Sequence, residues 1–264
     1  MSTARPGVVE SSADFADLPP VVEGAAAWYG PDLMSKPEVW TRHFSELEIQ
    51  ELEEAVQQCA DRDLVSLSRD DFPLPTLGPI LLEIAEEILN GRGFILLKGL
   101  PVWKWSTAES ATAYYGMGTW IGCAVSQNAK GHVLGHVKDI GGDKNDPKTR
   151  IYTTNAAQPY HVDSCDVVGL LCLKPAMSGG HSNVTSSATV YNEVLRLRPD
   201  LAKVLTEDIS LDRKGEVPEG KDPWFSMPLF IQHHGHLVSW YDRSFISAAQ
   251  ARFPDLPRLT PVQV

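Results

Sequence analysis

Positive charge gathers nowhere in this sequence: 23 Lys and Arg face 34 Asp and Glu, the net charge is −11, and no basic cluster occurs. The electrostatic footprint that neutralises nucleic-acid phosphates is missing, so nucleic acid is not an expected partner. Cysteine is also scarce. Cys59, Cys123, Cys165 and Cys172 form no C-x-x-C pair, which argues against a zinc ribbon or a disulfide framework and leaves free thiols as the expectation. No run approaches the ~18 apolar residues of a membrane span. The opening Met1-Ser2-Thr3-Ala4-Arg5-Pro6-Gly7 lacks the apolar stretch of a signal peptide. A cytoplasmic protein without a membrane partner is expected, and no internal repeat or low-complexity tract alters that reading.

Apolar residues, by contrast, make up 43% of 264 positions, enough to fill a substantial core in one large domain or two small ones. Residues 1–24 read as a loose leader and 25–264 as the packed domain. Ser45-Glu46-Leu47-Glu48 is a capping box opening a helix to about Ala60, with Leu47, Leu52, Ala55, Val56 and Cys59 on its apolar side and a solvated acidic face. A second helix is expected over Leu77–Asn90, stopped by Gly91 as a left-handed cap. A buried strand Phe94–Leu100 and a helix at about Thr107–Tyr115 follow. The middle of the chain reads as strands 131–137 and 167–173 around a turn-rich loop, 141–147, with a further turn at Gly179-Gly180. Two helices near 190–195 and 200–205 precede a hairpin, Phe230–Tyr241, turning at His234-Gly235. Trp224 and Phe225 fall in a Pro-flanked loop, as a lid or as core. Helices outside a β-rich centre suggest an α+β fold built on a double-stranded β-helix, or jelly roll.

Within that frame the most informative feature is His161-Val162-Asp163. It follows an extended-looking run, Ile151-Tyr152-Thr153-Thr154, and precedes the apolar segment 167–173. On a β-edge, residues i and i+2 point to one side, so both side chains can reach one metal ion. A nitrogen and oxygen donor set suits Fe(II) when a second histidine completes one face and leaves the other positions open. The tripeptide alone is weak: 8 His and 18 Asp in 264 residues produce one by chance about half the time.

Context supplies the specificity. Tyr160-His161-Val162-Asp163-Ser164-Cys165-Asp166-Val167, then Ser178-Gly179-Gly180-His181-Ser182 and Val190-Tyr191-Asn192-Glu193-Val194, resemble the taurine dioxygenase (TauD/TfdA) family, most strongly its fungal branch. Gly91-Arg92-Gly93-Phe94, residues 131–136 and Arg198-Pro199-Asp200-Leu201 extend the resemblance from about Trp28 to Thr260. It implies a jelly roll holding Fe(II), with 2-oxoglutarate as cosubstrate and dioxygen as oxidant. The implied reaction hydroxylates or desaturates a small organic acid or secondary-metabolite intermediate and releases succinate and CO2. His161 and Asp163 match the family's iron ligands. Ser182 matches a hydroxyl position that contacts 2-oxoglutarate, and is otherwise a turn serine capping backbone. Arg243, in a Tyr-x-Arg run, either pairs with a substrate carboxylate or joins a surface pair with Asp242 or another acid.

Other histidines and a thiol compete for attention. On a strand, His132 and His136 would stand about 13 Å apart, too far for one ion, and read as structural or pocket-lining. His233, His234 and His236 read as solvated imidazoles on a polar turn. Cys165 reads as a small side chain opening a buried strand rather than a further donor. In the family, the second iron histidine and an arginine for 2-oxoglutarate lie beyond the position matching Val264. The 264 residues are thus expected to be either a fragment of an oxygenase or a shortened, non-catalytic binding or regulatory protein. A metal-dependent hydrolase is a weaker third reading.

Overall fold

The computed structural model describes residues 17–128, 130–143, 146 and 149–264. Its contacts divide them into two compact units, one of residues 24–135 and 165–186, the other of 136–164 and 187–264 with the chain up to Glu23.

The first unit holds α1 (Gly30–Met34), β1 (Thr41–His43), α2 (Glu46–Gln58), α3 (Leu77–Asn90), β2 (Leu96–Lys98) and α4 (Thr107–Ile121). β1 and β2 pair in parallel from Thr41↔Leu96 to His43↔Lys98. Two capping boxes start helices. Ser45 Oγ accepts from Glu48 N at 3.3 Å while the Glu48 carboxylate accepts from Ser45 N at 2.8 Å, and Ser106 with Glu109 repeats the exchange on α4. Leu52, Phe72, Leu74, Leu77, Leu81 and Ala113 are fully buried between these helices. Glycine permits close approach at two points. A Cβ on Gly78 would lie 2.4 Å from the Trp120 ring, and one on Gly116 would lie 2.5 Å from Phe72.

Several expectations change here. Leu47 is 72% exposed and Glu48 is buried, so the apolar stripe of α2 begins later than its pattern suggests. Nor is its acidic face simply solvated. Glu51 accepts from Thr76 N and Leu77 N at 2.7 and 2.8 Å, serving the open amides at the start of α3, where Thr76 makes no side-chain cap. Glu53 accepts from Trp105 Nε1 at 3.0 Å. Gly91 has φ −104 and is not left-handed; Gly93, with φ +91, is. What Gly91 supplies is space, since a Cβ there would sit 2.6 Å from the Glu87 carboxylate. The strand expected over Phe94–Leu100 shrinks to β2 and is half open, while α4 runs past Gly116 and Gly118 to Ile121.

Neither of the central strands forms. The described residues of 131–137 and all of 167–173 have irregular backbone, and Val168, Leu170 and Leu173 are exposed. An apolar run becomes a strand only with a hydrogen-bonding neighbour, and this one has none among the described residues. Instead Gly169 packs on Tyr114, whose hydroxyl would lie 2.4 Å from an added Cβ.

The second unit contains α5 (Ser187–Leu197), α6 (Pro199–Leu205), β3 (Ile209–Asp212), β4 (Trp224–Met227), β5 (Phe230–His233), β6 (His236–Ser239) and α7 (Arg243–Arg252). β3 and β4 pair antiparallel, placing Trp224 and Phe225 in a strand rather than a loop. β5 and β6 form the expected hairpin. His234 and Gly235 have φ of 47 and 85, the left-handed pair that a two-residue turn matching strand twist requires. Tyr191, Ala202 and Leu211 are fully buried in the core of this unit. Asp212, also fully buried, accepts from Arg252 at 2.8 and 2.7 Å and from Lys214 N at 2.7 Å, which satisfies its charge.

Residues 1–16 of the expected leader lie outside the described residues, as do parts of the loop 141–147. The rest of the leader is not loose. The Tyr191 hydroxyl donates to Pro19 O at 2.5 Å, Asn192 bonds both N and O of Val22 at 2.9 and 2.8 Å, and Leu18 joins the core. Ile151–Thr153 is a 3-10 turn rather than extended chain, because Thr153 and Thr154 hydroxyls bond back to Arg150 O and Ile151 O at 2.7 and 2.8 Å. The architecture is mixed helix and strand. Its described strands form three separate two-stranded sheets and not the closed double sheet of a jelly roll. Among the described residues no helix is long and apolar enough to cross a membrane.

Candidate metal-binding site

His161 and Asp163 come together in irregular chain of the second unit, not on the strand edge their spacing suggests. The anchor is Val162 between them, whose N–H donates to Tyr241 O at 2.7 Å, just beyond β6. His161 Nδ1 lies 2.9 Å from Pro159 O. A carbonyl only accepts, so Nδ1 carries the proton and, in the neutral ring, Nε2 presents its lone pair. That lone pair accepts from the Gln158 amide at 3.0 Å, and Nε2 lies 3.7 Å from Asp163 Oδ1.

With Nδ1 protonated, Nε2 and Asp163 Oδ1 are two acceptors close enough to share one cation if the Gln158 amide gives way. Their separation is below the ~4.2 Å that two metal–ligand bonds of about 2.1 Å can span, so the pair fits one divalent first-row ion. The orienting bond from Nδ1–H to a backbone carbonyl is the usual partner of a ligating imidazole. The site is open: the His161 and Asp163 side chains are 27% and 52% exposed. It holds two donors, and among the described residues no group of three or more His, Cys, Asp or Glu is placed to hold a metal ion.

The remaining site candidates are dispersed. Ser182 is exposed on irregular chain in the first unit. Arg243 is the first residue of α7 and enters no ion pair among the described residues. Its neighbour Asp242 caps that helix by accepting from Ser244 N at 2.8 Å, so the expected surface pair with Arg243 does not form. Cys165 opens no strand; its thiol lies 3.5 Å from Val167 O in the first unit. His132 and His136 are exposed on irregular chain, which removes the strand premise.

Around α7 the second unit concentrates charge. The Arg150 guanidinium lies 5.5 Å from the centre of the Phe245 ring and 3.8 Å from the Glu216 carboxylate, and the Lys214 ammonium lies 5.4 Å from the same ring. Burial pushes the Lys214 ammonium below its ordinary pKa, against the pull of Asp212 and Asp242. Gln158 and the carbonyls of Pro159 and Tyr241 are the site features that sequence reasoning missed. Two are backbone atoms, which no residue type announces, and a glutamine three residues before a histidine carries no periodic signal.

With this geometry in view, comparison with known proteins identifies the class. Residues 57–260 match the Taurine catabolism dioxygenase TauD, TfdA family. The chain is 30% identical over 235 residues to FR-33289 synthase of Streptomyces rubellomurinus, covering 88% of this chain and 69% of that protein. It is 30% identical over 224 residues to Taurine hydroxylase-like protein SAT17 of Stachybotrys chartarum, covering 81% of this chain and 57% of that protein. The chain belongs to the TauD/TfdA family, whose matched description is that of a dioxygenase.

Proposed function

We propose that the protein is an Fe(II)- and 2-oxoglutarate-dependent dioxygenase that hydroxylates or desaturates a small organic acid or secondary-metabolite intermediate. The observation that carries this reading is the convergence of His161 Nε2 and Asp163 Oδ1 at 3.7 Å within the family match. His161 and Asp163 would hold the iron, and the jelly roll would be the assembly to which the β3–β6 hairpins contribute. When bound, iron and 2-oxoglutarate supply dioxygen activation, coupling loss of CO2 and formation of succinate to oxidation of a C–H bond. The chain's own work is to orient the imidazole through Pro159, hold the intervening peptide through Tyr241, and present Asp163 beside it. Ser182 is assigned to 2-oxoglutarate and Arg243 to a substrate carboxylate, through the planar fork that suits such a group.

Succinate release with Fe(II), ascorbate and a panel of small acids tests the reading. His161→Ala and Asp163→Ala should abolish it, and Ser182→Ala should raise the 2-oxoglutarate requirement. Succinate release that survives His161→Ala would remove the site. A second reading, a binding or regulatory protein, is favoured by the two-donor set, since no third donor joins the pair among the described residues. It predicts metal-independent binding of the small acid with no succinate formed.

A further inference from the structure

Three of the eight histidines stand at the tip of the β5–β6 hairpin, and the proposed oxygenase chemistry uses none of them. Pairing places His233 directly opposite His236, as the two residues closing the turn. Directly opposed residues project to the same face with Cβ atoms about 4.5–5.5 Å apart. Two imidazole nitrogens can reach one ion from that spacing by rotation about χ1 and χ2 alone, at metal–nitrogen distances of about 2.0–2.1 Å. The backbone is already set. His234 at φ 47 and Gly235 at φ 85 fix the turn, so little chain ordering accompanies binding. The His234 ring lies 4.1 Å from that of His233, centre to centre, tilted by 69°, which keeps a third imidazole at the same end. All three side chains are exposed and accessible to an ion.

We propose that the hairpin tip is a second metal site, in which His233 and His236 bind one divalent transition ion and water fills the other positions. Solvated imidazoles on a polar turn explain exposure, but the cross-strand register goes further by holding two of them on one face. The donor set differs from that of the His161–Asp163 site. Imidazoles without a carboxylate suit Cu(II), Ni(II) or Zn(II), and the Irving–Williams order places Cu(II) well above Fe(II). The tip is therefore a copper- or zinc-class site, independent of the iron reading, and its affinity is limited by having two donors.

The test titrates the metal-free 264-residue protein with Cu(II), followed by calorimetry and by electron paramagnetic resonance for nitrogen coupling. Variants are His233→Ala, His236→Ala, His236→Gln, His234→Ala and His161→Ala. The expected result is a copper site in wild type and in His161→Ala showing coupling to two nitrogens. Each change at 233 or 236 should weaken it by roughly tenfold or more, with a smaller effect from His234→Ala. Because these side chains are exposed, the variants should keep wild-type circular dichroism. Unchanged copper binding in His233→Ala and His236→Ala, or loss of the only copper signal in His161→Ala, would overturn the proposal. Loss of succinate formation in His161→Ala while the hairpin signal persists separates failure of one site from failure of the other.

Discussion

One proton decides whether His161 can act as a ligand. Donating Nδ1–H to Pro159 O leaves Nε2 with its lone pair, 3.7 Å from Asp163 Oδ1, and the Gln158 amide then occupies the position a metal would take. Protons matter equally at Tyr191, where the environment works in the opposite sense. Burial pushes its phenol from the ordinary value near 10 to about 12, while its O–H donates to Pro19 O. The folded state keeps the proton over a pH range in which the unfolded chain has lost it. Stability from this group is therefore complete below about pH 10 and is lost as pH rises toward about 12. Tyr191→Phe removes both the hydrogen bond and the titration. At about pH 8 the variant should be less stable by roughly 1 kcal/mol in urea unfolding. That gap should narrow or close at about pH 11, and an unchanged gap at both pH values would refute the burial argument.

Between elements, the packing around α4 depends on absent side chains. Gly116 leaves room for the buried Phe72 ring, whereas Gly118, one half-turn on, has nothing within 4 Å of its would-be Cβ. Alanine gains about 1 kcal/mol over glycine from helix propensity at either position. At Gly116 that gain meets an overpacking cost of about 1–3 kcal/mol, because the obstacle is the fully buried Phe72 ring rather than a flexible tip. Gly116→Ala should lower the denaturant midpoint and Gly118→Ala should raise it. The contrast also indicates what was legible beforehand. The capping box at Ser45, the limits of α3 and the His234-Gly235 turn depend on neighbours a few residues away, so local pattern finds them. β3 was missed because Ser210 and Asp212 look wrong for a buried strand. Their partners, Ser226 at 3.1 Å and Arg252, lie far along the chain. The run 167–173 failed for the reverse reason: its composition suits a strand, but no neighbour among the described residues pairs with it.

At the scale of the whole molecule, family membership and the His161–Asp163 contact were legible, since ordered motifs and an i, i+2 spacing survive the loss of the strand on which they were imagined. The roles of Ser182 and Arg243 remain part of the proposal, because exposure and a helix start do not define a cosubstrate or substrate pocket. Coordination arithmetic then sets the last expectation. Two protein donors hold Fe(II) weakly, and one of them is already engaged by an amide. Anaerobic Fe(II) titration of the 264-residue protein should give weak binding that is lost in His161→Ala and Asp163→Ala. Gln158→Ala should bind more tightly by about two- to fivefold, because freeing the Nε2 lone pair removes a competing hydrogen bond worth roughly 0.5–1 kcal/mol. Its succinate formation at limiting iron should rise in parallel. If Gln158→Ala instead weakens iron binding, the amide orients the imidazole more than it blocks it. Tight binding by the unaltered chain, still dependent on His161, would mean that a further donor joins the pair and would refute the two-donor argument.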